Sequence, residues 1–178
     1  MKQKFSSKNT CINTTKVPAI YSKLNLEKLR NKIMFDYGAG RIETVRLIRA
    51  LLEPYDIDYI PYDPYNLSEG DNCYAWENRL EADIYICSNV LNVIKEDDIV
   101  QEIIDDLTNW STKPDNNNKV FFFKIYEGDK SSIGKKSKND CWQRNQRTKE
   151  YLNFNWDFMY PTIYKGFITN QKGKELLK

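Results

Sequence analysis

The chain has no histidine among its 178 residues. That removes the Ser-His and Cys-His pairs on which most nucleophilic hydrolases depend. A general base would have to be Asp, Glu, Lys or Tyr. The four cysteines, Cys11, Cys73, Cys87 and Cys141, are scattered without a C-x-x-C pair. No zinc site or other metal partner is therefore expected, and no disulfide framework is indicated. No apolar run approaches the ~20 residues of a membrane span, so no membrane partner is expected. Residues 1–16 are polar and basic and lack the apolar core of a secretory signal; the expectation is a cytoplasmic protein. Glycine is also scarce, seven in all, and two of the seven stand one residue apart.

At this length, 40% hydrophobic and 29% charged residues are those of one ordinary globular domain. The net charge of +2 conceals a segregation. Residues 36–110 carry 17 acidic and 5 basic side chains, whereas residues 1–35 carry 8 basic and 1 acidic, and residues 119–178 carry 13 basic and 6 acidic. Such asymmetry fits a polyanion-binding surface, and equally a chain whose flanks neutralise its middle.

Apolar runs at 32–36, 59–63, 83–87 and 119–126 read as strands. Residues 42–53 place Val45, Ile48, Leu51 and Leu52 on one helical face, and 96–110 do the same with Ile99, Val100, Ile103, Ile104, Leu107 and Trp110. Residues 14–29 suggest one or two short helices, an N-terminal lid or extension over 1–30 preceding a domain over 31–178. Residues 66–82 read as irregular and 113–118 as a loop. A helix is expected over 139–152, capped by Asn139 or Asp140, followed by strands at 156–160 and 163–169. Strands alternating with helices make an α/β fold with a mostly parallel sheet. The last two strands are too closely connected for a parallel crossover and must pair antiparallel.

The most informative stretch is Ile33-Met34-Phe35-Asp36-Tyr37-Gly38-Ala39-Gly40-Arg41. An apolar run ends in a carboxylate, two glycines follow, and a helix begins: a parallel strand turning over a nucleotide-like ligand. A dinucleotide site wants G-x-G-x-x-G, but Glu43 stands in the third place, which disfavours a nicotinamide enzyme. The G-K-[ST] of a P-loop is absent. A second carboxylate, Asp63, closes the next strand 27 residues after Asp36 and precedes Pro64.

The order D-x-G-x-G, Asp63, then Ser88-Asn89-Val90-Leu91-Asn92-Val93-Ile94 resembles class I S-adenosylmethionine-dependent methyltransferases, especially small bacterial and phage members of unassigned substrate, over about residues 30–170. The resemblance implies a Rossmann-like methyltransferase sheet with an antiparallel closing strand. It implies an S-adenosyl-L-methionine site at Asp36, Gly38, Ala39, Gly40, Asp63, Pro64, Ser88 and Asn89, with Asp63 on the ribose diol. Only 19 residues lie between Asp63 and Asp83, so the strand and helix expected there are shortened or missing, and Leu67, Trp76 and Glu77 are the candidates for the adenine contact. Ile42 stands where many members have glycine. Asp63-Pro64-Tyr65 lies at the second strand, not the fourth, and is not the D-P-P-Y box of DNA amino-methyltransferases. Cys87 lacks the preceding proline of carbon-5 cytosine enzymes.

The methyl acceptor, a small molecule or nucleic acid, is expected beyond the strand at 119–126. Glu127 and Asp129 are the candidate bases. Trp142, Gln143, Arg144 and Asn145 are the candidate substrate contacts, with Trp142 stacking. Thr15, Lys16 and Pro18 are candidates for a lid. The alternative is a catalytically degenerate methyltransferase fold that binds nucleic acid or a host factor.

Overall fold

Three runs of five residues, Ile33–Tyr37 (β1), Asp58–Tyr62 (β2) and Ile84–Ser88 (β3), and a fourth, Val120–Lys124 (β4), form the parallel part of a six-stranded sheet. The computed structural model describes residues 4–5, 7–10, 16–109, 119–137, 141–156 and 160–178. The strand order is β2-β1-β3-β4-β8-β7, where β7 is Thr162–Tyr164 and β8 is Phe167–Thr169. β8 runs antiparallel to both β4 and β7. A separate two-stranded ribbon pairs Lys135–Lys136 (β5) with Trp142–Gln143 (β6).

The central strands are apolar on both faces because both faces are covered. On one side Ala19–Lys23 (α1), a 3₁₀ turn at Leu26–Leu29 and Ile42–Leu52 (α2) pack Ile20, Tyr21, Leu24, Val45 and Ile48 against Met34, Ile86 and Phe122. On the other, Asp97–Asn109 (α4) packs Ile99, Val100, Ile103, Ile104 and Leu107 against Phe35, Tyr85, Phe121 and Phe123. Each fully buried phenylalanine contributes roughly 2–3 kcal/mol. Residues 19–29 share this core, and Leu24 bridges Leu177 near the C-terminus. Residues on both sides of position 30 thus contribute to one core cluster.

Residues 66–82 contain a helix, Glu69–Asn78 (α3), which corrects the irregular reading. Ser68 Oγ caps it by accepting the Asp71 N–H at 3.1 Å. Between β2 and β3 the helix is thus kept and the strand is absent. The expected helix over 139–152 is replaced by β6 and a 3₁₀ helix, Thr148–Asn153. Asn145, at φ +56°, breaks the helical path between them. The expected single strand at 163–169 is a hairpin, β7 and β8. Lys165 (φ +48°) and Gly166 (φ +80°) form its two-residue turn. The loop at 113–118, the caps Asn139 and Asp140, Trp110 and residues 157–159 lie outside the described residues.

The two helical layers are oppositely charged. Helices α3 and α4 hold eight carboxylates and no cation. Helices α1, α2 and Gln171–Glu175 (α5) hold five cations and two carboxylates. The acidic α3–α4 layer and the more basic α1, α2 and α5 layer thus lie on opposite faces of the sheet. No helix is long and apolar enough to cross a membrane among the described residues, and those residues hold no group of three or more Cys, Asp or Glu placed for a metal ion.

Candidate functional site

From β1 the chain moves one way to β2, then crosses back to β3 on the other side of β1. The strand ends diverge there, which in an open α/β sheet is where ligands sit. A cavity of about 660 Å³ opens at that point. Its wall takes Gly38, Ala39 and Gly40 from the loop after β1, Asp63 and Pro64 from the loop after β2, and Ser88 and Asn89 from the loop after β3. Trp142 and Gln143 of β6 join them, as do Lys16 and Pro18. Thr15 lies outside the described residues. Leu67, Trp76 and Glu77 are not in the wall.

The glycine turn knits the three loops. Gly38 and Gly40 adopt φ +79° and +84°. The Gly38 and Ala39 N–H groups donate to the Tyr62 carbonyl at 2.7 and 3.1 Å, and the Gly40 N–H donates to Asp63 Oδ2 at 3.0 Å. A Cβ on Gly38 would stand 2.2 Å from Val90 Cγ2 in the loop after β3. Asn89, at φ +60°, donates its N–H to the Lys124 carbonyl at 2.7 Å and so ties that loop to β4.

Asp63 is buried, and its Oδ1 accepts from the Tyr65 and Asn66 N–H groups and from Asn66 Nδ2, at 3.0, 3.0 and 3.1 Å. Oδ2 accepts only from Gly40 among the described residues, which leaves it room for one hydroxyl. Burial raises the carboxyl's proton affinity, and these hydrogen bonds oppose the rise.

Asp36 departs from the expectation. Its side chain lies on the α2 side of the sheet, outside the cavity wall. There Oδ2 accepts the hydroxyls of Tyr21 (2.5 Å) and Tyr59 (2.7 Å). The alternation of β1 turns it inward with Met34, while Phe35 faces the other layer. Burial pushes its pKa from 3.8 up to about 6, against the two tyrosine hydrogen bonds. The folded state thus holds this proton more tightly than the unfolded chain. The stability from this group is fully present below pH ~4 and is lost as pH rises through about 6, a fall of about 3 kcal/mol. Urea unfolding from pH 4 to 7, wild type minus Asp36→Asn, is expected to show this fall; a flat difference would contradict it.

The acceptor-side expectations divide. Trp142 and Gln143 line the cavity; Arg144, Asn145, Glu127 and Asp129 do not. Arg144 is buried. It donates to the carbonyls of Ile94 and Lys95, to Asp97 Oδ1 at 2.6 Å and to Gln146 Oε1. Asn145 is buried too: its Nδ2 donates to the Ile133 carbonyl at 2.9 Å and its Oδ1 accepts the Asp129 N–H at 3.4 Å. Both hold backbone where substrate contacts were expected. Glu127 Oε1 accepts the Thr148 N–H at 2.7 Å, which holds its pKa below the usual range. Asp129 pairs with Lys135 at 2.7 Å, and its pKa is held down to about 2 by hydrogen bonds from Lys135 and Ser131. Neither is in the cavity wall. Glu127→Gln and Asp129→Asn are expected to leave ligand binding at the cavity within twofold of wild type by calorimetry, since each exposed pair contributes about 1 kcal/mol or less to the fold. Cys87 lies in the core, where burial pushes its thiol pKa up, the opposite of an activated nucleophile.

Among the wall residues not predicted as site residues, three bear on the site's chemistry. Thr44, in the first turn of α2, has a buried hydroxyl without a partner among the described residues. Asn92 has a buried Oδ1 in the same condition. Tyr126, just past β4, is an aromatic left 59% exposed. The chain Ser88–Ile94 held the only sequence signal, for Asn92 alone. Neither a protein-family model nor a curated protein matches the chain.

Proposed function

We propose that the chain is an S-adenosylmethionine-dependent methyltransferase of the class I, Rossmann-like type, acting on a small molecule or nucleic acid. The observation that carries this reading is the junction at the switch point. The glycine turn after β1, the acid after β2 and the Ser-Asn loop after β3 meet in one cavity, in the order the resemblance implies. Strand β8, inserted antiparallel beside β4, agrees with the antiparallel end of such a sheet.

The charges favour an adenosine-like ligand without phosphates. Lys16 and Asp63 are the only Lys, Arg, Asp or Glu side chains in the wall among the described residues. Glu43 occupies the first turn of α2, where a pyrophosphate would meet a like charge instead of a bare helix N-terminus. The open lone pair of Asp63 Oδ2 is a polar partner that such a ligand would satisfy. The bound cofactor would supply a methyl group on a sulfonium. Asp63 would accept a ribose hydroxyl, Gly38 to Gly40 would let the backbone approach, and Trp142 with Phe5 stacked on it at 5.3 Å would exclude water.

Calorimetry with S-adenosylhomocysteine is expected to give a micromolar Kd, weakened about tenfold in Asp63→Ala, one charge-assisted hydrogen bond's contribution. No binding to wild type would overturn the proposal, as would tight binding of NADH in its place. The placement of Glu127 and Asp129 outside the cavity favours a second reading, a fold that binds without transferring. That reading predicts salt-sensitive binding to a polyanion with no labelled methyl transferred.

A further inference from the structure

We infer that the N-terminal segment carrying Phe5 and Ser7–Thr10 is a strap on the cavity, and that the Phe5 ring on Trp142 is the latch that holds it shut. The inference concerns entry to the cavity, not the reaction within it, so it does not depend on the cofactor reading.

The segment is part of the wall. Ser7, Asn9 and Thr10 line the cavity, and Lys16, Val17, Pro18 and Ala19 line it again where α1 begins. Ser7–Thr10 keeps its own turn: the Thr10 N–H and hydroxyl both donate to the Ser7 carbonyl, at 3.1 and 2.6 Å. Phe5 reaches the β6 side of the same cavity. Its ring stacks on Trp142 with 5.3 Å between centroids and 24° between planes.

The contacts that hold the strap are of a kind that breaks. Phe5 is in neither core cluster. Its ring meets Trp142 and, at 5.7 Å, Lys95 Nζ, which also stands 4.9 Å from the Trp142 ring. Beside it the Lys4 N–H donates to Glu96 Oε1 at 3.1 Å, in an exposed position. Each such surface contact shifts a closed-to-open equilibrium by about twofold to tenfold. Helix α1, by contrast, buries Ile20 and Tyr21 in the core, so opening ends before it.

Trp142 is the fixed half of the latch. Gly134 lies so close that a Cβ there would stand 2.3 Å from Trp142 Cζ2, and the β6 backbone is paired with β5. The strand-end loops of the wall are fixed too. Gly38 and Ala39 are bonded to Tyr62, Gly40 to Asp63 and Asn89 to Lys124. The strap is therefore the part of the wall that yields to an incoming ligand. A wall that opens and recloses in this way slows entry and exit alike.

The test uses the full chain as wild type, Phe5→Ala and Phe5→Trp. Limited trypsin digestion followed by mass spectrometry reads the strap without any ligand, because Lys8 is an exposed cleavage site within it. Cutting after Lys8 is expected to be about twofold to tenfold faster in Phe5→Ala, one ring pair's contribution. Phe5→Trp, which keeps a ring on Trp142, is expected to cut at the wild-type rate. Equal rates in wild type and Phe5→Ala, or a rise at every tryptic site of the chain, overturn the inference. Stopped-flow binding of S-adenosylhomocysteine then reads the passage. Its association and dissociation rate constants are expected to rise together in Phe5→Ala by that same factor, with Kd within about threefold of wild type. Unchanged rate constants, or faster dissociation alone, overturn the inference, since Phe5 would then support the ligand and not its passage. If S-adenosylhomocysteine fails to bind wild type, the cofactor reading falls, and the latch stands or falls on the trypsin rates.

Discussion

Gly38→Ala is expected to abolish S-adenosylhomocysteine binding, by more than a hundredfold in Kd, and to lower unfolding stability by about 2–5 kcal/mol. Two effects add. The left-handed backbone at φ +79° costs a residue with a Cβ about 1–2 kcal/mol. The new methyl would sit 2.2 Å from Val90 Cγ2, an overlap that must be relieved by moving the loop after β3, at about 1–3 kcal/mol. Both loops are cavity walls, so the relief itself distorts the site. Two further variants separate these effects. Val90→Ala in the Gly38→Ala background removes the overlap but not the strained φ, and should recover part of the stability. Gly166→Ala imposes the same strain at φ +80° in the β7–β8 turn, away from the cavity, and should cost stability while leaving binding intact. Thermal melts with calorimetry on the three variants check the scheme; unaltered binding in Gly38→Ala would break it.

Arg144→Ala should destabilise the fold by about 3 kcal/mol or more in urea unfolding, an effect far larger than that of its ion-pair partner. The guanidinium serves two main-chain carbonyls, Ile94 and Lys95, as well as Asp97. Truncation leaves the carbonyls without a donor in a buried position, at about 1–3 kcal/mol each. Asp97 is 79% exposed on its side chain and returns to water, so Asp97→Ala should cost no more than about 1 kcal/mol. Arg144→Lys keeps the charge but lacks the planar fork that reaches four acceptors at once, and should recover less than half of the loss. A stable Arg144→Ala protein with weakened acceptor binding would instead return this residue to the role its sequence position first implied.

The contrast between Gly38 and Arg144 marks what was legible from residues alone. A strand, two glycines and a spaced acid report geometry that is local or one strand–helix–strand unit away. Gly38, Gly40 and Asp63 accordingly meet in the cavity. Asp36 belongs to the same motif, but which face of the strand it serves depends on Tyr21 and Tyr59, which approach from other elements. Arg144 and Asn145 read as ligand contacts because polar residues past a sheet edge usually face solvent; here they turn inward to main-chain carbonyls far away in sequence. Helix α3 was missed because it buries only Ala75 and so shows no apolar stripe. Asn92 hydrogen-bonds Gln143, 51 residues later, a relation that no local pattern carries.

The strand missing between β2 and β3 has a consequence for how copies of this chain meet. Its absence makes β2 the margin of the sheet. Asp58 donates its N–H to Lys32, and the Tyr62 carbonyl accepts from Gly38, so Asp58, Ile60 and Tyr62 direct their amides and carbonyls toward β1. Tyr59 and Pro61 face the other way, and proline has no N–H. An incoming strand would find one amide where a ladder of this length offers two, and a ring where the second belongs. Pro61 thus makes the margin a poor template for edge-to-edge aggregation.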